Sequence, residues 1–342
     1  MEQKLSMSVV ICGVKNADFD IIYSVKLLRE IFPNAELILS SNDSSLTKAQ
    51  QIIAAVDKVI DCGNYGHLPS LKFPAHSISN TVNNNINKQI ASNYAGINAA
   101  SGELVLKLRT DQILFNDDIL SLWELIESVP VSNSCRKGRI ITSSVFSINP
   151  RYSERMPFHI SDMMQFGYRQ DLLHYYSAPQ YTLEYAVWYE KNPHHKHSNF
   201  NERSFRSLYA VEQWLALHYI YNKEEEFPVR FHNDFSTEII ENFESILPDY
   251  FIIAHPDDIG LRISKFESAR SYFNTQCYST YESIELLKKA NPDLKITNKY
   301  FPKGIDKKKY KYVRFFLEIK VIQLAIKLMP ADFKSFLKSI IA

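Results

Sequence analysis

Glycine is scarce in this chain: 9 among 342 residues. A phosphate cradle of glycine-rich backbone needs more, and neither G-x-x-x-x-G-K-[ST] nor G-x-G-x-x-G occurs. That argues against P-loop and Rossmann cofactor chemistry. No uncharged apolar stretch reaches about 18 residues, so no membrane-spanning helix is expected. The opening MEQKLSMSVVICG has no basic segment running into a long apolar core, and no signal peptide is expected. Cys12, Cys62, Cys135 and Cys277 are far apart and form no C-x-x-C pair. Reduced thiols in a cytoplasmic protein fit that pattern.

Net charge is also low, at +1, but it is unevenly placed. From Lys303 onward ten Lys or Arg stand against three Asp or Glu, a net of +7 that leaves −6 for the rest. A mildly acidic body with a basic tail suggests a surface contact made by the tail, not nucleic-acid wrapping. The stretch KGIDKKKYKYVRFFLEIKVIQL mixes Lys with Tyr and Phe, and an amphipathic helix is expected over Ala331–Ile341. Such a tail suits the anionic cytoplasmic face of a membrane, or equally a helix packed on the body with a solvated basic side.

What is present is a regular alternation. Apolar runs at Met7–Gly13, Glu36–Ser41, Lys58–Cys62, Glu103–Leu114 and Arg139–Phe146 read as strands. Helical spacing fills the gaps at Asp18–Phe32, Ala49–Val56, Asn80–Ala100 and Asn116–Val129. This order predicts an α/β fold with a mostly parallel central sheet and right-handed crossovers. Ligands in such sheets bind beyond the carboxyl ends of the strands. Those ends carry Lys15, Asn16, Ser41, Asn42, Asp43 and the Arg109-Thr110-Asp111 turn. Past residue 150 the spacing loosens, and the chain divides into a body over residues 5–265 and a helical, basic region over 266–342.

Two features of the centre point to chemistry. In the helix candidate, Ile86, Ile90, Tyr94 and Ile97 would face the sheet, while Asn85, Lys88, Gln89, Ser92 and Gly96 form a second stripe. That stripe is hydrogen-bonding and nearly uncharged, which suits packing beneath a ligand or loop. Gly102 is expected to close the helix in the left-handed conformation. The following strand, ELVLKLRTD, then brings Lys107, Arg109 and Asp111 to its end. An anionic ligand bound with a cation would explain all three. Arg can clamp a diphosphate or hold Asp111 ionised, and Asp111 can offer hard oxygen to Mg2+ or Mn2+ or bond a sugar hydroxyl. A plain ion pair closing the strand is the structural alternative.

The run N-x-N-K-Q-I-x-S-x-x-x-G-I-x-x-A-x-G-x-x-V-L-K-L-R-T-D resembles the signature of the WavE lipopolysaccharide-synthesis proteins. The family commonly has Arg where this chain has Lys88, a change that keeps the charge and loses the planar fork. F-H-I-S-D-x-x-x-F-G at Phe158–Gly167, with Asp171 beyond it, is a second match, and Glu212-Gln213 a third. The resemblance covers about residues 5–260. It implies a GT-A-like glycosyltransferase that moves a sugar from a nucleotide-sugar donor to a lipopolysaccharide or other surface-glycan acceptor; the unpaired thiols and the basic tail add the expectation that it works on the cytoplasmic side of the membrane.

Seen through the resemblance, Arg109-Thr110-Asp111 lies where GT-A enzymes place a metal-holding D-x-D motif. Here Ile113 stands where the second acid would be. Either Asp111 holds a divalent metal with a more distant ligand, or Lys88, Lys107 and Arg109 neutralise the diphosphate without one. Asn16 and Asp43 are candidates for the nucleoside, with Asn85 and Gln89 also on the donor side. Glu212 and Asp162 compete for the role of base, and His159 and Ser161 for holding the acceptor. His194, His195 and His197 read as an exposed loop. A nucleotidyltransferase and a non-catalytic nucleotide- or glycan-binding subunit remain as alternatives.

Overall fold

Side chains alternate along β1 (Met7–Cys12), sending Val9 and Ile11 into one apolar layer and Val10 and Cys12 into the other. The structure, a computed structural model, describes residues 6–63, 65–73, 83–132, 136–152, 154–221, 223–295 and 319–334. Helix α1 (Ile21–Ile31) is capped by Asp20, whose carboxylate accepts the Tyr23 N–H at 3.0 Å. Strand β2 (Glu36–Ser41) follows, and then two short helices, α2 (Ser44–Thr47) and α3 (Gln50–Ile53), where one helix is expected. After β3 (Lys58–Asp61) comes α4 (Ile86–Ala99), then β4 (Leu104–Arg109). The single expected strand through Leu114 is broken at Thr110-Asp111, and β5 (Gln112–Leu114) starts anew.

Next come α5 (Asp118–Glu127), β6 (Ile140–Ser143), β7 (Gln165–Tyr168) and α6 (Arg169–Tyr175). Helices α7 (Val211–Ile220) and α8 (Thr237–Tyr250) lead to β8 (Phe251–Ala254) and β9 (Leu261–Ile263). Helix α9 (Thr280–Ala290) buries Ile284 and Leu287, and α10 (Lys320–Leu328) ends the described elements. The seven-stranded sheet has the order β3-β2-β1-β4-β7-β6-β8. Among its strands only β7 runs antiparallel, pairing with β4 on one side and β6 on the other. Strands β5 and β9 make a separate antiparallel pair.

Helices cover both faces, as the strand pattern requires. Val25 and Leu28 of α1 and Leu122 and Trp123 of α5 join Val9 and Leu106 in one layer. Ile90 and Ile97 of α4, Tyr175 of α6 and Trp214 of α7 join Val10 and Val105 in the other. Period two therefore puts Lys107 and Arg109 on the α4 side of β4.

Two details differ from expectation. Tyr94 is 43% exposed, and Ser92, Asn93 and Gly96 are buried instead, so α4 is rotated toward its small and polar residues. A Cβ on Gly96 would lie 2.6 Å from Val10 Cγ1 and 2.7 Å from Ser40 Cβ; the bare glycine lets the helix lie directly on β1 and β2. Gly102 does not take the left-handed conformation, which belongs to Gly13, Gly63 and Gly260. Its role is close approach, because a Cβ there would meet the Ser8 backbone nitrogen at 2.5 Å.

Candidate active site

A cavity of about 740 Å³ opens at the carboxyl ends of β1, β2 and β4. Cys12, Gly13 and Val14 form its β1 wall, with Asn42 past β2. The polar stripe of α4 forms another wall through Asn85, Lys88, Gln89, Ser92 and Asn93. Helix α4 can turn that stripe inward because Gly96 brings it onto the sheet and Ser40 Oγ donates to the Ser92 carbonyl at 2.6 Å. Lys107, Arg109, Phe146, Asp162 and Glu212 complete the far side, and Lys72 approaches from the segment before α4. Burial pushes the Cys12 thiol up to about 12, so this wall residue is no nucleophile.

Asn85, Lys88, Gln89, Lys107, Arg109, Asp162 and Glu212 thus converge on one cavity, although they come from four parts of the chain. Lys107 is nearly sealed, at 1% exposure, and donates to the backbone carbonyls of Asp162 and Met163. Burial lowers its pKa. Its clearest work is to hold the 162–163 turn under the cavity; it is not at the strand tip as the sequence suggests.

Asp111 lies outside the cavity wall. Its carboxylate is 7% exposed and takes both teeth of Arg109, Nε to Oδ1 and Nη2 to Oδ2, each at 2.9 Å. Burial opposes the charge on Arg109, but the Asp111 hydrogen bonds raise its pKa above the ordinary guanidinium value. The pairing leaves Arg109, and not Asp111, facing the cavity.

Four other expected residues are placed beside the cavity and not in its wall. Asn16 accepts the Asp18 N–H at 3.0 Å in a local turn. Asp43 caps α2 and accepts the Lys15 N–H at 2.9 Å, pinning the loop after β1. Burial works against its charge, yet those N–H groups hold the carboxyl below its ordinary value. Ser161 is fully buried, its Oγ accepting the Met163 N–H at 3.2 Å. His159 sits behind Glu212, Nε2 to Oε2 3.4 Å, with Nδ1 2.7 Å from the Phe146 carbonyl.

Glu212 opens α7, and its neighbour Gln213 explains why that helix starts there. The Gln213 amide nitrogen donates to the carbonyls of Pro157 and His232, both at 2.8 Å, and its oxygen accepts the Ala210 N–H. The helix terminus is thereby clamped to the 157–162 segment.

Sequence reasoning missed Lys72, Asn84 and Asn93. Asn84 Oδ1 accepts the Ile86 N–H at 3.0 Å in the turn that leads into α4, which leaves Nδ2 as a buried donor with no partner. Gln89 Oε1 and Asn93 Oδ1 are likewise buried without hydrogen bonds. Unsatisfied buried polar atoms are rare in folded proteins, and here three of them line one cavity. The signal for Asn93 was available: it follows Gln89 by four residues, as Gln89 follows Asn85.

Among the described residues no group of three or more His, Cys, Asp or Glu is arranged to hold a metal. The two oxygens of Asp111 are engaged by Arg109, and Asp162 and Glu212 are the carboxylates in the cavity wall. This donor set does not fit a protein-held divalent ion of the D-x-D kind. His194 stacks on Tyr189 with ring centres 3.8 Å apart, and burial pushes His232 down to about 3.

A family model described as WavE lipopolysaccharide synthesis matches residues 8–327. No curated protein matches the chain. Among solved structures, the mannosyltransferase PcManGT from Pyrobaculum calidifontis, in complex with GDP-Man and Mn2+, aligns at 11% identity and TM-score 0.30, covering 50% of this chain and 46% of that one. The galactosyltransferase LgtC, in complex with donor and acceptor sugar analogs, aligns at 10% identity and TM-score 0.30, covering 61% and 69%. The glycosyltransferase GlyE of Streptococcus pneumoniae TIGR4 aligns at 9% identity and TM-score 0.33, covering 94% and 63%. This chain spans about half the length of the mannosyltransferase. At such scores no residue role transfers.

Proposed function

The chain belongs to the WavE lipopolysaccharide synthesis family, and from that premise we propose that it is a GT-A-like glycosyltransferase using a nucleotide-sugar donor and a surface-glycan acceptor. The observation that supports this most is the composition of the cavity wall. Cations, unpartnered amides and two carboxylates share one space at the carboxyl ends of parallel strands. Sugar transfer needs those three things: neutralisation of a leaving diphosphate, orientation of the donor, and a base for the acceptor hydroxyl.

Lys88 and Arg109 are assigned to the diphosphate. Arg109 is held by Asp111 in a fixed orientation and presents its remaining donors to the cavity, so Asp111 acts through Arg109. The donor set supports neutralisation by side chains better than a metal bridge on Asp111. Asn84, Gln89 and Asn93 are assigned to the nucleoside or donor sugar, whose own donors and acceptors would satisfy theirs. Asp43 and Asn16 shape the loop after β1 from behind.

For an inverting transfer the acceptor oxygen attacks the anomeric carbon as the bond to the leaving phosphate breaks. Glu212, 19% exposed at a helix start and facing the cavity, is the base, and Asp162 is placed to orient the acceptor or donor hydroxyls. His159 and Ser161 support this wall instead of contacting the acceptor. The test is nucleotide release by the purified protein from UDP-glucose, UDP-galactose and GDP-mannose. Release from one donor that falls about a hundredfold in Arg109→Ala is expected. No release from any donor, with or without added lipopolysaccharide acceptor, would sink the reading.

A further inference from the structure

Among the described residues two that are not glycine have positive φ, Phe146 at 70° and Phe158 at 63°. Bulky residues rarely adopt this conformation, and strain of this kind persists only where surrounding contacts impose it. Both flank the same side chain. Phe158 immediately precedes His159, and its ring is locked against Phe243 with centres 4.7 Å apart. Phe146 turns its carbonyl onto His159 Nδ1 at 2.7 Å, and its own ring is held edge-on by Phe273.

A carbonyl oxygen only accepts, so Nδ1 carries the hydrogen. The neutral ring then presents a bare lone pair on Nε2 to Glu212 Oε2, 3.4 Å away. Two lone pairs facing each other repel; a proton on Nε2 turns the contact into a charge-assisted pair. Two strained turns thus place an imidazole nitrogen 3.4 Å behind the carboxylate that faces the cavity.

We propose that His159 is the proton-accepting partner of Glu212, taking on Nε2 the proton that Glu212 removes from the acceptor hydroxyl. This rests on the glycosyltransferase reading above. In the step, the acceptor O–H bond breaks and its oxygen bonds to the anomeric carbon. The bond from that carbon to the phosphate oxygen breaks, and its electron pair leaves with the diphosphate. The proton passes to Glu212 and on to Nε2, leaving imidazolium beside carboxylate. Among the described residues, Arg109 from β4, Tyr175 from α6 and Tyr272 from the helix before α9 interact electrostatically with Glu212. Burial holds both tyrosines neutral, and Arg109 stays charged, so none of them competes for this proton near neutrality.

The first experiment needs no turnover. The His159 ring is followed by NMR of histidine-labelled protein, its signal assigned by difference with His159→Gln. In Glu212→Gln the Nε2 signal of His159 is expected to move, because Nε2 then faces an amide in place of a carboxylate at 3.4 Å. An unchanged signal overturns the pairing. The second uses whichever of the three donors is turned over. His159→Gln, which can still hydrogen-bond Glu212 but cannot take a proton, is expected to lose at least about tenfold in kcat with KM little changed. Wild-type kcat overturns the proton role. Silence with every donor defeats the transferase reading and leaves the NMR comparison to judge the pair.

Discussion

Arg109 and Asp111, two residues apart, meet through parallel hydrogen bonds of 2.9 Å at the broken end of β4. The carboxylate is spent on the guanidinium, and the guanidinium borders the cavity. Arg109→Ala is therefore expected to cost about a hundredfold in donor turnover, and Asp111→Asn less, because one hydrogen bond to Arg109 survives. Steady-state kinetics on both variants checks the order. The reverse order would mean that Asp111 itself touches the ligand.

If side chains neutralise the diphosphate, chelation should leave turnover unchanged. Activity is measured in EDTA and again after Mn2+ or Mg2+ is restored. A loss that either ion reverses would replace the Lys88–Arg109 assignment with a metal.

Glu36 ties four places together: it accepts from Ser8 Oγ at 2.7 Å, Ser101 N at 2.8 Å and Ser101 Oγ at 2.9 Å, and pairs with Lys58 at 2.6 Å. Burial opposes its charge, but Lys58, Ser101 and Ser8 bring the carboxyl down to about 2. A depressed folded-state pKa means stability that is present above the unfolded value of 4.5 and lost as pH falls toward 2. Glu36→Gln should be less stable than the parent at pH 7, and the gap should close across that window in urea melts at successive pH values.

Gly102 has backbone where a side chain would go. Gly102→Ala must push α4 and β4 away from Ser8, at a cost of about 1–3 kcal/mol in chemical denaturation. Gly66, with nothing within 4 Å of a Cβ, is the control, and Gly66→Ala should change little.

No helix among the described residues is long and apolar enough to cross a membrane. In α10, Val321, Leu324 and Leu328 are exposed, and Lys327 is among the basic residues nearby. The Lys-rich stretch 303–314 and the end of the expected helix past Lys334 lie outside the described residues. Binding of this tail to an anionic membrane surface is a proposal carried by its composition. The full chain should pellet with phosphatidylglycerol vesicles, and a truncation before Lys303 should not. Equal pelleting would end the proposal.

The elements that rest on local rules were readable. Strands β1, β2 and β3 and helices α1, α4 and α5 follow from apolar spacing of two or 3.6 residues, although α1 starts at Ile21 and α4 at Ile86, past the expected Asp18 and Asn80. Strand β7 was largely hidden within the F-H-I-S-D-x-x-x-F-G run, since three successive buried residues before the half-buried Tyr168 leave no alternation to detect. Tyr94 misled for a related reason: an aromatic at helical spacing looks like core, but Gly96 allows so close an approach that small residues occupy that face instead.

The amino-acid order alone determined which residue types would gather at the strand ends, because hydrogen-bonding and charged side chains on apolar elements have no cheaper place there. It also carried the family match, which spans residues 8–327. Only the tertiary structure decided which of them face the same space. Asp111 turned to Arg109, Lys107 turned to two carbonyls, and His159 came to stand behind Glu212. Those choices depend on pairings between segments far apart in the chain, and each group takes the partner that offsets its desolvation, which no local pattern encodes.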